Sequence, residues 1–150
     1  MSRNIYLATF GSLAVLMGAY AFQHLGGMAP CKLCLWQRWP HAAAIAIGLI
    51  IVFTGEGKLA WFGAIAAFST ALIGFYHVGV EQGWWEGPTS CTAGGVSNLS
   101  AQELMDQILA APLVRCDDIA WQLAGISMAG WNALLSLALM AIWIKAAREA

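Results

Sequence analysis

Three stretches of this chain, about residues 5–25, 59–80 and 123–144, hold no Asp, Glu, Lys or Arg, and their only histidines are His24 in the first and His77 in the second. A helix that crosses a bilayer needs roughly 20 such residues, and few other folds tolerate three of them in so short a chain. A fourth stretch, about 35–53, has a clean apolar core only from Ala42 to Phe53. To span, it must begin near Leu35 and bring Arg38, Pro40 and His41 into the interface. Charged residues make up 10% of the 150, against about 25% in a soluble domain. No basic cluster marks a nucleic-acid surface. The expected architecture is an all-α membrane protein, one domain over 1–150 built as a four-transmembrane-helix bundle. The first stretch is read as a span and not a removed signal peptide, because its basic flank is only Arg3 and cysteines follow soon after it.

Four spans place both termini on one side and two loops, about 26–34 and 81–122, on the other. All four cysteines, Cys31, Cys34, Cys91 and Cys116, fall in those loops. Span parity alone therefore puts them in one compartment. Arg3, Lys58, Lys145 and Arg148 lie on the terminal side, and Lys32, Arg38 and Arg115 are diluted over the cysteine side. The positive-inside rule then turns the cysteines away from the cytoplasm, where disulfides persist. In the long loop, Ser100-Ala101-Gln102-Glu103 has the form of a capping box. Leu104, Met105 and Ile108 follow on one face, and Pro112 ends the run. This predicts a short amphipathic helix, lying on the membrane surface or packed on its own loop. Glycines near Cys91 (Gly87, Gly94 and Gly95) suggest mobile backbone there.

Three uses of the cysteines compete: structural disulfides, a zinc site and redox exchange. Zinc is the weakest, because Cys91 and Cys116 lack the close spacing of a second ligand pair. A disulfide across the two residues of Cys31-Lys32-Leu33-Cys34 is a poor staple, since closing so short a loop removes little chain entropy. It is a good exchange centre. Cys34 falls where the second helix should start, so free backbone N–H groups favour its thiolate. Arg38 follows by four residues, on the same helix face and about 6 Å along the axis. His41 continues the stripe. A thiolate above a cation suits a planar electron acceptor with oxygens, such as a membrane quinone. His77, near the outer end of the third span with Glu81 one turn on, is expected to bond the second quinone oxygen or pass a proton.

These residues resemble the disulfide bond formation protein B (DsbB) family over nearly the whole chain. The resemblance rests on Phe22-Gln23-His24, on Pro30-Cys31-Lys32-Leu33-Cys34 with Arg38, and on Tyr76-His77. It extends through Pro88-Thr89-Ser90-Cys91, Cys116, Trp121 and Met128-Ala129-Gly130-Trp131. It implies a multi-pass protein of the bacterial inner membrane with periplasmic cysteine loops and cytoplasmic termini. It also implies a thiol:quinone oxidoreductase that re-oxidises a DsbA-type thiol oxidase and reduces ubiquinone or menaquinone. By the same resemblance the partner attacks a Cys91–Cys116 disulfide at Cys91, Cys116 exchanges with Cys31, and Cys34 donates to the quinone held by Arg38. A paralogue serving another thiol partner, or a membrane protein with structural loop disulfides, are the alternatives.

Overall fold

The computed structural model of the chain describes residues 3–88, 91, 100–110 and 114–150, without the side chains at 104, 107, 108 and 110. Helix α1 covers Arg3–His24, α2 Lys32–Thr54, α3 Ala60–Glu81 after a 3-10 turn at Gly57–Leu59, α4 Ala101–Ala110, and α5 Met128–Arg148. Strands β1 (Gln122–Leu123) and β2 (Ile126–Ser127) form an antiparallel hairpin ahead of α5. Helices α1, α2, α3 and α5 are each long and apolar enough to cross a membrane. The chain is therefore an all-α, multi-pass membrane protein. Helix α3 packs on α2 and α5, and α1 packs on the same two, so the four close into a bundle. Large apolar side chains such as Phe10, Phe53, Phe62 and Phe75 face outward, as lipid contact requires.

Helix boundaries follow from local chemistry, and two differ from the expectation. Helix α2 starts at Lys32, not near Leu35, because the Cys31 sulfur caps it by accepting from Cys34 N at 3.2 Å. It ends at Gly55, whose φ of 76° gives the left-handed cap. Helix α5 starts at Met128, not near Leu123. The intervening residues turn through Ala124 and Gly125 at φ of 54° and 77°, the pairing of a tight hairpin. Ser127 then caps α5, its Oγ accepting from Gly130 N at 3.2 Å. The capping box forms as expected: Glu103 N donates to Ser100 Oγ, and Ser100 N donates to Glu103 Oε2 at 2.8 Å. The Ser100 hydroxyl, donating to Glu103 Oε2 at 2.5 Å, and then the Ser100 N–H hold the exposed Glu103 carboxyl below the usual range. The expected faces of Leu104 and Ile108, the stop at Pro112 and the glycines at 94 and 95 lie outside the described residues.

The half of the bundle nearer the termini is held by small residues against large ones. Helix α3 buries Ala60, Gly63, Ala64, Ala67, Ala71 and Gly74 in a stripe, which lets neighbouring backbones approach. Trp143 of α5 is fully buried in the same cluster. A Cβ at Gly63 would lie 2.6 Å from the Trp143 ring. Gly63→Ala is therefore expected to cost about 1–3 kcal/mol by overpacking. The check is a lower melting temperature in detergent; an unchanged melt would contradict this packing. The opposite half has a second, smaller core: Cys31, Leu33, Val80, Cys91 and Cys116. The cysteines are thus part of the packed interior.

Candidate redox site

Two cysteine pairs meet at the end of the bundle opposite the termini. Cys91 and Cys116 form a disulfide with Cα atoms 5.3 Å apart, and both are fully buried. Cys116 N donates to Cys91 O at 2.9 Å, which braces the pair. Cys31 and Cys34 are thiols. The Cys31 thiol donates to Cys34 Sγ at 2.9 Å, and this bond, with burial, holds Cys31 far above the ordinary thiol range. The sulfurs of Cys31, Cys91 and Cys116 all lie within 4.8 Å of one another. Cys31 thus faces the other pair, whereas Cys34 sits one helical turn on and is only half-buried.

Cys34 opens onto a cavity of about 610 Å³ between α1, α2 and α5, lined by Cys34, Arg38, His41, Trp131, Asn132 and Leu135 among others. Its wall is overwhelmingly apolar. Arg38 is held there by α1: Nη1 donates to Gln23 Oε1 at 2.5 Å and Nη2 to Ala19 O at 3.4 Å. The Tyr20 ring centroid lies 4.7 Å from the guanidinium carbon, a cation–π contact. Gln23 therefore has a visible task. The sequence marked it only as part of a motif.

His41, expected in the interfacial stretch of its span, is packed inside the bundle and 2% exposed. Its Nε2 lies 3.0 Å from Asn132 Oδ1 of α5. It still borders the cavity, as the stripe with Cys34 and Arg38 required. His77 is the larger correction. It was expected to bond the acceptor or to pass a proton; it does not line the cavity, which removes the first of these roles. Its ring lies behind the sulfurs: Nε2 is 3.6 Å from Cys31 Sγ and 3.1 Å from Cys116 O, and Nδ1 is 2.9 Å from Gln37 Nε2. Glu81 Oε1 is 3.8 Å from Nε2, and Glu81 also accepts from the Ser127 hydroxyl. The physical reason is helix phase: α3 turns this face toward α2 and the cysteine core.

Between the two histidines runs a buried polar network that no sequence pattern announced. Asn132 Nδ2 donates to Gln37 Oε1 at 2.7 Å and to Thr70 Oγ1 at 3.1 Å, and Thr70 donates to the Gln37 carbonyl at 3.0 Å. The available signal was weak: single amide side chains inside apolar runs, which in a membrane need internal partners.

Fold and site together define a multi-pass membrane protein that brings two cysteine pairs into contact beside an apolar cavity. Its family is settled by comparison. The chain belongs to the disulfide bond formation protein DsbB family, whose model matches residues 2–146. It is 30% identical over 160 residues to the disulfide bond formation protein B of an Azoarcus species, covering 98% of this chain and 94% of that one. It is 28% identical over 167 residues to the disulfide bond formation protein B of Verminephrobacter eiseniae, covering 99% and 89%. It is also 28% identical over 141 residues to an uncharacterized Rickettsia prowazekii protein, covering 91% and 81%. No solved structure matches the chain. Membership makes this a disulfide-forming oxidoreductase.

Proposed function

We propose that this protein takes two electrons from a DsbA-type thiol oxidase and passes them to a membrane quinone, ubiquinone or menaquinone. In this reading the cysteine pairs lie on the periplasmic side of the bacterial inner membrane. One observation carries the proposal: Cys31 touches the Cys91–Cys116 pair while its neighbour Cys34 borders the cavity with Arg38. Electrons entering at one pair have a short path to the cavity.

The chain's own steps balance as thiol–disulfide exchange. A partner thiolate attacks Cys91, the mixed disulfide resolves, and the partner leaves oxidised with Cys91 and Cys116 reduced. Cys91 is fully buried, so it must be uncovered before the partner can attack it. Cys116 then attacks Cys31 of a Cys31–Cys34 disulfide and releases Cys34 as a thiolate. Cys91 attacks Cys116, closing their disulfide and releasing Cys31. Cys31 finally rejoins Cys34 as the electron pair leaves through Cys34 toward the cavity.

The cavity fits a quinone: its volume lies in the range of small-molecule sites, and its wall is apolar with few polar groups. Arg38 and His41 would hold the polar oxygens. When bound, the quinone supplies a two-electron, two-proton acceptor. A DsbA-type oxidant sits at about −120 mV, so only a more positive acceptor can re-oxidise it. A quinone is such an acceptor.

Arg38→Met tests the binding half of this reading. Removing a charge-assisted contact is expected to raise the KM for a short-chain quinone about tenfold. Oxidation of the first equivalent of partner, which needs no quinone, should be unchanged. A normal quinone KM would remove Arg38 from the site.

A further inference from the structure

Hydrogen-bond polarity around His77 is fixed by two carbonyls that can only accept. Gln37 Nε2 lies 3.2 Å from Leu33 O, so the atom facing that carbonyl must be the amide nitrogen. Its second hydrogen is then directed at His77 Nδ1, 2.9 Å away. Nδ1 is therefore the bare, accepting nitrogen, and the ring proton sits on Nε2. The far end agrees: Nε2 faces Cys116 O at 3.1 Å, again a carbonyl that needs a donor. The same Nε2 is 3.6 Å from Cys31 Sγ. Asn132 closes the chain by donating to Gln37 Oε1, which leaves Gln37 no freedom to flip.

We propose that His77 donates a hydrogen bond to the Cys31 sulfur during exchange between the two cysteine pairs, and that Gln37 is the positioning residue that fixes it in that role. The proposal rests on the relay described above. It concerns one step. Cys91 thiolate attacks Cys116 of a Cys31–Cys116 disulfide, the Cys91–Cys116 bond forms, the Cys31–Cys116 bond breaks, and Cys31 leaves as a thiolate. One negative charge moves from Cys91 to Cys31 with no net redox change. Nε2 donates to Cys116 O at 3.1 Å, with Glu81 Oε1 3.8 Å away, and stands 3.6 Å from the sulfur on which that charge arrives. His77 keeps its proton throughout. It is not a base toward Cys31, since the nitrogen facing the sulfur already carries hydrogen. For the same reason Cys31, Cys34 and His77, although within 4.8 Å of one another, do not offer a metal three lone pairs.

Disulfide mapping during turnover tests this. Protein with excess reduced DsbA-type partner and a short-chain quinone is quenched in acid, alkylated and mapped by peptide mass spectrometry. His77→Phe is expected to slow turnover about tenfold and to accumulate the Cys31–Cys116 species, with the quinone KM within about twofold of normal. His77→Gln, which retains an N–H donor, should recover most of the rate. Gln37→Met should show the same accumulation more weakly, and it serves if His77→Phe does not fold. Slower turnover without accumulation, a changed quinone KM in His77→Phe, or no effect in either variant would overturn the proposal; Gln37 also lines the cavity, so Gln37→Met is read by disulfide accumulation alone. If unmodified protein consumes no quinone with partner, the relay itself fails and this step falls with it, a result distinct from any of these.

Discussion

Cys91→Ser is expected to lower oxidation of the thiol partner at least about a hundredfold, since the entry sulfur for exchange is gone. The Cys31–Cys34 disulfide should nevertheless still form whenever quinone is supplied. The two outcomes separate because the pairs do different work. Cys34 borders the cavity, and Cys91 lies on the far side of Cys31 in the smaller core. Thiol alkylation and mass mapping before and after quinone addition check both. Normal partner oxidation by this variant would break the relay.

Cys34→Ser is expected to have the opposite pattern. Quinone reduction should fall at least about a thousandfold, because the sulfur that hands electrons to the cavity is missing. Partner oxidation should stop at about one equivalent per protein, the capacity of the Cys91–Cys116 disulfide, since nothing recharges it. Rapid-quench titration of partner thiols reads that limit directly. Continued turnover in this variant would mean that electrons leave by a sulfur other than Cys34.

Much of this was legible in the chain. Apolar runs show themselves without tertiary context, and their number puts four cysteines on one side by parity. The i, i+4 relation of Cys34 and Arg38 survives folding because it depends only on one helix. What escaped was set by contacts between helices. The start of α2 depends on a cysteine acting as cap, a role that residue type does not advertise. His41 and His77 share helix faces whose neighbours, Asn132 and Gln37, are distant in sequence, so their burial had no local sign. His77 was placed at the acceptor because it stands near the outer end of its span. The phase of α3 against α2 turns it to the sulfurs instead. Gln23 looked like part of a motif, and only the fold shows it gripping Arg38.

Quinone absorbance during turnover tests the central claim most directly. Purified protein is mixed with a short-chain quinone and excess reduced DsbA-type partner, and quinone loss is followed alongside partner thiols. The account predicts one quinone consumed for each partner disulfide formed, no more than about one per protein when partner is omitted, and none when protein is omitted. Partner oxidation without quinone loss, or no reaction with ubiquinone-type and menaquinone-type acceptors in folded protein, would contradict it.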